Sequence, residues 1–257
     1  MLAVAALASA AALGRADDLE LKVPGTLRVI VGSDDLPELF VPDRPEGLER
    51  EMLEGFARLH GLKIQTVKAP RPDRIPWLLD DRGDVVAGGM AMTPERRKLV
   101  AFTAETFPVR HAAVTRRPHP PVMTLEDLRR QRVGVQQNSS GAEEALAAGV
   151  PRANIDSYAT YAEILVALRA GKISCSVMSV IGAMSDRRKD PALEIGLMIG
   201  TPTGTGFALR KEQPRLLKAL SDYVVATRKT ATWNRLVVKY LGEDALDVLK
   251  RSREVAP

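Results

Sequence analysis

Thr93-Pro94-Glu95-Arg96-Arg97 follows the apolar run Asp84-Val85-Val86-Ala87-Gly88-Gly89-Met90, and this junction decides the fold. The apolar run predicts a buried strand that ends at its two glycines, while Thr93 and Pro94 are typical of the N-cap and first residue of a helix. Backbone N–H groups and the Arg96 guanidinium would then meet at one strand end, a corner that suits a carboxylate or another small anion. A well-capped surface helix with a solvated arginine is the alternative interpretation.

Size and composition describe a soluble globular protein. The chain has 257 residues, 45% of them hydrophobic and 27% charged, which is enough for two domains of ordinary size. The net charge of +5 is spread along the sequence and aromatic residues make up only 4%, so we expect no nucleic-acid partner. Cys175 is the single cysteine and fits neither a disulfide nor a metal-ligand spacing. We interpret it as a small core residue, and we expect no metal and no cofactor.

The N-terminus has the composition of an export signal. Residues 2–13 are mostly alanine, leucine and valine, and small residues follow near Ala16. This run is too short to span a membrane but fits the apolar core of a secretory signal, so residues 1–16 are predicted to be a signal peptide. The mature protein would then be periplasmic. A buried helix is the alternative for the same residues.

Predicted strands and helices alternate along both halves of the chain. In the first half we predict strands at 26–32, 63–67 and 84–89, and helices from 48 to a glycine stop at Gly61 and around Trp77. After an interruption at residues 118–121, we predict strands at 132–135 and 173–178 and helices after Thr124, up to Ala148, after Thr160, at 214–227 and at 231–241. This alternation favours an α/β fold with parallel sheets and crossover helices.

Several short motifs carry a family resemblance over about residues 26–242. They are Gly25-Thr26-Leu27-Arg28-Val29, Gly83-Asp84-Val85-Val86-Ala87-Gly88-Gly89-Met90, Thr93-Pro94-Glu95-Arg96, Ala101-Phe102-Thr103, Phe107-Pro108, Val133-Gly134-Val135, Gly206-Phe207-Ala208-Leu209-Arg210 and Lys239-Tyr240-Leu241-Gly242. Together they resemble the bacterial extracellular solute-binding proteins of family 3, which capture polar amino acids and have the type II periplasmic-binding fold.

The resemblance implies two lobes, each a mainly parallel sheet flanked by helices, joined by a two-strand hinge. The first lobe would combine residues 24–109 with 205–242, and the second would comprise residues 110–204. Residues 243–257 would form a charged C-terminal tail. In such proteins the lobes close around a ligand, so the resemblance also implies hinge closure.

The resemblance implies a set of ligand-binding residues. Arg96 occupies the position that grips the ligand's carboxylate, and Gly89 and Ala91 lie where backbone atoms assist. Ser139 and Ser140 match the N-terminus of a second-lobe helix that donates N–H groups to the same carboxylate, although simple helix capping also explains these serines.

The other end of the ligand departs from the family pattern. The acidic residue that usually holds an ammonium group aligns with Ser179, and the usual aromatic wall is replaced by Ser33-Asp34-Asp35-Leu36-Pro37-Glu38. Asp34, Asp35 or Glu38 could supply a replacement negative charge, or could simply cap the loop. The ligand is therefore expected to be an amino acid or a related organic anion.

The predicted function is an exported, non-catalytic substrate-binding protein. It would deliver a small polar or anionic solute to the membrane permease of an ABC importer, and we expect it to be a monomer. One alternative is a regulatory or sensory module, because the chain also resembles the binding domain of membrane-bound lytic transglycosylases. Another is an enzyme resembling cyclohexadienyl dehydratases, but Val180-Ile181-Gly182 stands where those enzymes have a glutamate.

Overall fold

The computed structural model describes residues 19–32, 36–137 and 139–254. The predicted signal peptide, residues 1–16, lies outside these ranges, as does Asp34. The chain divides into two compact units. The first contains the described residues up to 106 together with 205–234, and the second contains residues 107–204 and the segment that starts at 235.

Among the described residues the two units contain ten strands and ten α-helices. The strands are β1 (Thr26–Gly32), β2 (Lys63–Ala69), β3 (Val85–Val86), β4 (Ala101–Phe102), β5 (Pro108–Arg116), β6 (Val133–Gln136), β7 (Ile155–Tyr158), β8 (Cys175–Ser179), β9 (Leu193–Gly204) and β10 (Ala208–Leu209) within the described residues. The helices of the same residues are α1 (Leu48–His60), α2 (Arg74–Leu79), α3 (Pro94–Leu99), α4 (Leu125–Arg130), α5 (Ser140–Ala147), α6 (Tyr161–Arg169), α7 (Val180–Lys189), α8 (Pro214–Arg228), α9 (Ala231–Leu241) and α10 (Ala245–Arg251).

Each unit is built on one five-stranded sheet with the same pattern of pairing. The order is β2-β1-β3-β10-β4 in the first sheet and β7-β6-β8-β5-β9 in the second. In each, the first three strands are parallel, and the last two pairings are antiparallel. The predicted α/β class, with helices flanking each sheet, is confirmed; the antiparallel strands are those next to the points where the chain passes between units.

Local sequence signals account for the elements that were predicted well. Helix α1 buries Leu48, Met52 and Phe56 on one face, as their spacing predicts. The helix is capped by Gly61, whose φ of 65° lies in the left-handed region of backbone conformation. A glycine adopts this conformation at little cost in free energy. In the second unit, Cys175 lies in the core with Val133 and Val177, and burial raises the pKa of its thiol to about 12. The interpretation of Cys175 as a core residue is confirmed.

The strand predicted at 84–89 is shorter than expected. Only Val85 and Val86 pair with neighbouring strands. Gly88 and Gly89 have φ values of 86° and 69°, which turn the backbone out of the extended region. Apolar composition alone did not reveal this turn, because the group that stabilises it comes from helix α1.

The C-terminal segment also differs from the expectation. The described residues from 235 to 254 group with the second unit, whereas we expected residues up to 242 in the first lobe and a charged tail beyond them. Helix α10 occupies part of that tail, and Arg251 on it donates to the carbonyl groups of Ile195 and Gly196 at 3.3 and 3.1 Å. Arg188 donates to the carbonyl group of Lys239 at 3.1 Å. These contacts to the second sheet and to α7 explain the regrouping.

No helix in the described ranges combines the length and the apolar character needed to cross a bilayer.

Candidate functional site

The turn at Thr93–Arg96 that leads into α3 forms in the first unit as its residues predict. The Thr93 hydroxyl accepts a hydrogen bond from the backbone N–H of Arg96 at 3.3 Å, and Pro94 is the first residue of α3. The Arg96 side chain folds back and donates from Nη1 to the carbonyl oxygen of Ala91 at 3.0 Å. Ala91 itself bridges to Thr205, next to the point where the chain passes between units. Arg96 is thereby held in one place, half-buried.

Two buried charged residues fix the loop that leads to this corner. A carboxylate oxygen of Glu49, on α1, accepts from the N–H groups of Gly88 and Gly89 at 2.6 and 3.0 Å. Arg74, on α2, donates to the carbonyl groups of Ala87 and Gly88, both at 3.3 Å. Both side chains are almost completely buried. The N–H group of Gly89, expected to assist ligand binding, is therefore already bonded to Glu49.

The electrostatic environment of Arg96 is positive. Burial lowers the pKa of Arg96 below its ordinary value, and the nearby Arg74 and Arg71 lower it further. A guanidinium keeps its charge in proteins, so the lowered pKa is a sign that the charge is poorly solvated there. Among the described residues no carboxylate forms an ion pair with Arg96. An anion beside Arg96 would relieve this cost.

In the second unit, the N-terminus of helix α5 presents two serines with different partners. Ser139 is the N-cap: its hydroxyl donates to the carbonyl group of Gln136 at 2.7 Å and accepts from Ala142 N–H at 3.3 Å. The Ser140 hydroxyl instead lies 3.1 Å from Nε2 of His111, on β5. The Ser139 hydroxyl is thus occupied by capping, while Ser140 belongs to a side-chain pair.

Ser179 lies at the N-terminus of helix α7 and is also a cap. Its hydroxyl accepts from the N–H of Gly182 at 3.2 Å. Ser179 ends β8, and strand pairing sets it directly opposite His111 of β5. Within the second unit the fold therefore brings Ser140, His111 and Ser179 together at one edge of the sheet.

The predicted site residues form two groups, one in each unit, and one predicted residue lies outside the described ranges. Gly89, Ala91 and Arg96 lie together in the first unit, and Ser139, Ser140 and Ser179 lie together in the second. Asp34 lies outside the described residues. No group of three or more histidine, cysteine, aspartate or glutamate side chains that could hold a metal occurs in the part of the chain that the structure describes.

Comparison with known proteins identifies the family. The model of the bacterial extracellular solute-binding proteins, family 3, matches residues 27–243. The chain belongs to this family. The match covers both units and includes the Thr93–Arg96 corner, so the resemblance inferred from the motifs is confirmed.

Individual relatives of the family are similar along most of the chain. A probable histidine-binding protein of Campylobacter jejuni is 23% identical over 219 residues, covering 84% of each chain. The histidine-binding periplasmic protein of Escherichia coli is 25% identical over 211 residues, covering 77% of this chain and 80% of the relative. A crystal structure of a mutant of ArgBP from T. maritima superposes with a TM-score of 0.66 at 26% identity, covering 85% of this chain and 96% of that one.

Sequence reasoning missed three residues of this family member's candidate site. Glu49 and Arg74 are charged residues on short amphipathic helices, and nothing local indicates that they turn inward to the 87–89 loop. No sequence motif singles out His111. Its position opposite Ser179 is set by the register of β5 with β8. No local motif specifies that register.

Gly141 allows the start of α5 to approach the sheet. A Cβ atom at this position would lie 2.9 Å from the carbonyl oxygen of Val177 and 3.4 Å from Cδ2 of His111. We expect Gly141→Ala to lower the free energy of unfolding by about 1–3 kcal/mol, because a backbone group must move to make room. Urea unfolding of the purified protein measures this.

Gly182 provides the matched control, since it also lies in the first turn of a helix that follows a strand. A Cβ atom there would meet only the hydroxyl of Ser179, at 3.2 Å. Gly182→Ala should change the unfolding free energy by less than about 1 kcal/mol. If the two substitutions change the free energy of unfolding equally, the close approach of α5 to β8 does not require a glycine at position 141.

Proposed function

We propose that this chain is an exported substrate-binding protein that captures a small carboxylate-bearing solute, an amino acid or a related organic anion, for an ABC importer. The observation that carries the proposal is Arg96: a half-buried guanidinium in a poorly solvated, positive environment, held by the Ala91 carbonyl group without an ion-pair partner among the described residues. A bidentate carboxylate is the ligand that such a group binds best.

The second unit supports the proposal with donors of its own. The N-terminus of α5 has backbone N–H groups that lack partners within the helix, and the N-terminal end of a helix favours negative charge. We propose that these groups and Arg96 bind the same carboxylate, so that ligand binding favours hinge closure. A ligand that binds one conformation more tightly than another shifts the population toward it.

The family supports the remaining parts of the proposal. The Escherichia coli relative is named as a histidine-binding periplasmic protein, and a solved structure of an ArgBP mutant from T. maritima is described as arginine-bound. We propose that this chain is likewise periplasmic, that it acts as a monomer, that its macromolecular partner is the membrane permease of an ABC importer, and that it has no catalytic activity. The enzyme alternative lacks its acid, since Val180-Ile181-Gly182 begins α7 without a carboxylate. No contact in the part of the chain that the structure describes favours the regulatory alternative.

Thermal unfolding with a panel of amino acids and organic acids tests the proposed function. A ligand present at a hundred times its dissociation constant should add about 2.7 kcal/mol to the stability of the folded state. We expect a stabilising shift from at least one carboxylate-bearing compound and none from the matching alcohols or amines that lack the carboxylate. If no compound shifts the transition, or if the carboxylate is dispensable, the proposed uptake function is wrong.

A further inference from the structure

An arginine-lined pocket lies at the end of the second sheet that is away from the α5 N-terminus. Arg116 comes five residues after His111 on β5, a separation of about 16 Å along an extended strand. The pocket has a volume of about 430 Å³ and reaches the loop that leads into β8. Its lining includes basic side chains above buried apolar ones: Arg116, Arg117, His119, Arg169, Leu168 and Ile173. All of them belong to the second unit, and we call the site the Arg116–Arg169 pocket.

Two of these arginines share a single carboxylate oxygen. The Nε atoms of Arg116 and Arg169 donate to Oδ2 of Asp190 at 3.0 and 3.1 Å. The other oxygen of Asp190, Oδ1, accepts from the N–H of Ala192 at 3.2 Å. The hydrogen bond from Arg116, together with that from Arg169, holds the pKa of Asp190 below its ordinary value, so this carboxylate is ionised at neutral pH. Two guanidinium charges are thus held close together by one negative charge.

The shared oxygen fixes both guanidinium groups and leaves their outer nitrogens available. In the described part of the chain, neither Arg116 nor Arg169 has a hydrogen bond from Nη1 or Nη2, and their side chains are 33% and 49% exposed. Arg132, just before β6, shows the ordinary arrangement at the same end of the sheet. Its Nε and Nη2 donate to both oxygens of Asp156, at 2.6 and 2.9 Å. The donors that Arg132 uses for a carboxylate of its own are free in the other two arginines.

The other basic side chains of the lining have partners of their own. Arg117 forms an ion pair with Glu194 at 3.3 Å. Nδ1 of His119 lies 2.8 Å from the carbonyl oxygen of the next residue. Arg116 and Arg169 are therefore the groups on which binding in this pocket depends.

We propose that the Arg116–Arg169 pocket is a second binding site, separate from that of the transported solute, and that it binds a phosphate group. A phosphate group carries about 1.5–2 negative charges and three acceptor oxygens, so it can accept from both guanidinium groups at once. It would also balance the positive charge that Asp190 leaves uncompensated. A carboxylate has one charge and two oxygens, which a single guanidinium group already occupies.

The rest of the pocket suits the same ligand. Leu168 and Ile173 are buried beneath the arginines, and charge-assisted hydrogen bonds are stronger beside apolar surroundings than in water. A volume of about 430 Å³ is within the range of small-molecule sites, so a phosphate monoester fits as well as inorganic phosphate.

Calorimetric titration of the Arg96→Ala variant with inorganic phosphate tests the site. This background is used because the Thr93–Arg96 corner is itself expected to bind small anions. Glycerol 3-phosphate is the monoester probe and acetate the carboxylate probe, all at neutral pH and constant ionic strength. Phosphate and glycerol 3-phosphate should bind at least about tenfold more tightly than acetate.

Substitutions of Arg169 locate the binding. In the same background, Arg169→Ala should weaken phosphate binding at least about tenfold, because it removes one of the two charge-assisted donors. Arg169→Lys keeps the charge but not the planar pair of donors, so its affinity should be intermediate. Arg132→Ala is the matched control and should bind phosphate as the background does, since Asp156 occupies its donors.

The fold should tolerate Arg169→Ala, because Arg116 still forms an ion pair with Asp190. Circular dichroism checks this. A purely structural role for Arg169 would lower stability without changing the affinity for phosphate, and that result would contradict the proposal.

Sedimentation with vesicles distinguishes two sources of the phosphate group. Vesicles of phosphatidylcholine with and without phosphatidic acid are compared with the soluble probes. Retention on phosphatidic acid that Arg169→Ala abolishes would indicate a lipid headgroup, whereas binding of the soluble probes alone would indicate a small molecule.

The inference is overturned if neither soluble phosphate nor phosphatidic acid binds, if acetate binds as tightly as phosphate, or if Arg169→Ala binds phosphate as its background does. None of these results bears on the carboxylate site, because every titration is done without the Arg96 side chain. Failure of the proposed uptake function would likewise leave the phosphate site standing.

Discussion

Arg96→Ala is expected to lower the affinity for the carboxylate ligand by at least about 30-fold, because it removes a charge-assisted, bidentate interaction worth about 2–5 kcal/mol. The fold should tolerate the change. The only hydrogen bond of the Arg96 side chain among the described residues goes to the carbonyl group of the partly buried Ala91, and the backbone bond to Thr93 does not need the side chain. Calorimetric titration of the ligand measures the loss.

Two further substitutions make the Arg96 result specific. Arg96→Lys keeps the charge but cannot form two parallel hydrogen bonds, so its affinity should lie between those of the wild type and the alanine variant. Arg97→Ala is the matched control, because Arg97 is the next residue on α3, is exposed, and contacts Met92 and the Phe102 ring instead. A loss of affinity in Arg97→Ala as large as that in Arg96→Ala would contradict the assignment.

Glu49→Ala should produce the largest loss of stability, about 3 kcal/mol or more. The Glu49 carboxylate is completely buried and accepts from the N–H groups of Gly88 and Gly89. Removing it leaves the buried N–H group of Gly88 and the partly buried N–H group of Gly89 without this acceptor, and a lost acceptor costs about 1–3 kcal/mol for a buried donor. It also leaves the buried Arg74 guanidinium beside the same loop. Urea unfolding monitored by circular dichroism measures the change.

Glu54 is the control for Glu49, since it is the same residue type on the same helix. Glu54 forms an ion pair with Arg50 at 2.7 Å but keeps 24% of its side chain exposed. Partly exposed i,i+4 pairs contribute little, so Glu54→Ala should cost less than about 1 kcal/mol. If the two alanine variants are equally stable, Glu49 does not support the loop in the way that the hydrogen bonds indicate.

The sequence predicted the elements that depend on local signals. The helical spacing of Leu48, Met52 and Phe56, the glycine stop at Gly61 and the Thr93–Pro94 start are each encoded within one or two turns. The long antiparallel strand β9 was not predicted. Its pairing with β5 is set by tertiary contacts between distant residues, which composition and period do not reveal.

The candidate site divides in the same way. Arg96 was predicted because its corner is a local motif, whereas Ser139, Ser140 and Ser179 were predicted from the family resemblance. Glu49, Arg74 and His111 were missed because each acts on a segment far away in sequence. The Glu49 contact to Gly88, for example, spans 39 residues. Buried charges and strand register are tertiary properties, and a single sequence contains no direct signal for them.

The most direct test of the carboxylate-binding account is a titration cycle with the best-binding acid and its primary amide, using the wild type and Arg96→Ala. If Arg96 binds the carboxylate, the amide should bind the wild type at least about 30-fold more weakly than the acid, a difference of about 2 kcal/mol. The same chemical change should matter little in Arg96→Ala, so the two losses are not additive. If the acid and the amide bind the wild type equally, or if the two losses simply add, Arg96 is not the carboxylate-binding residue and the account is wrong.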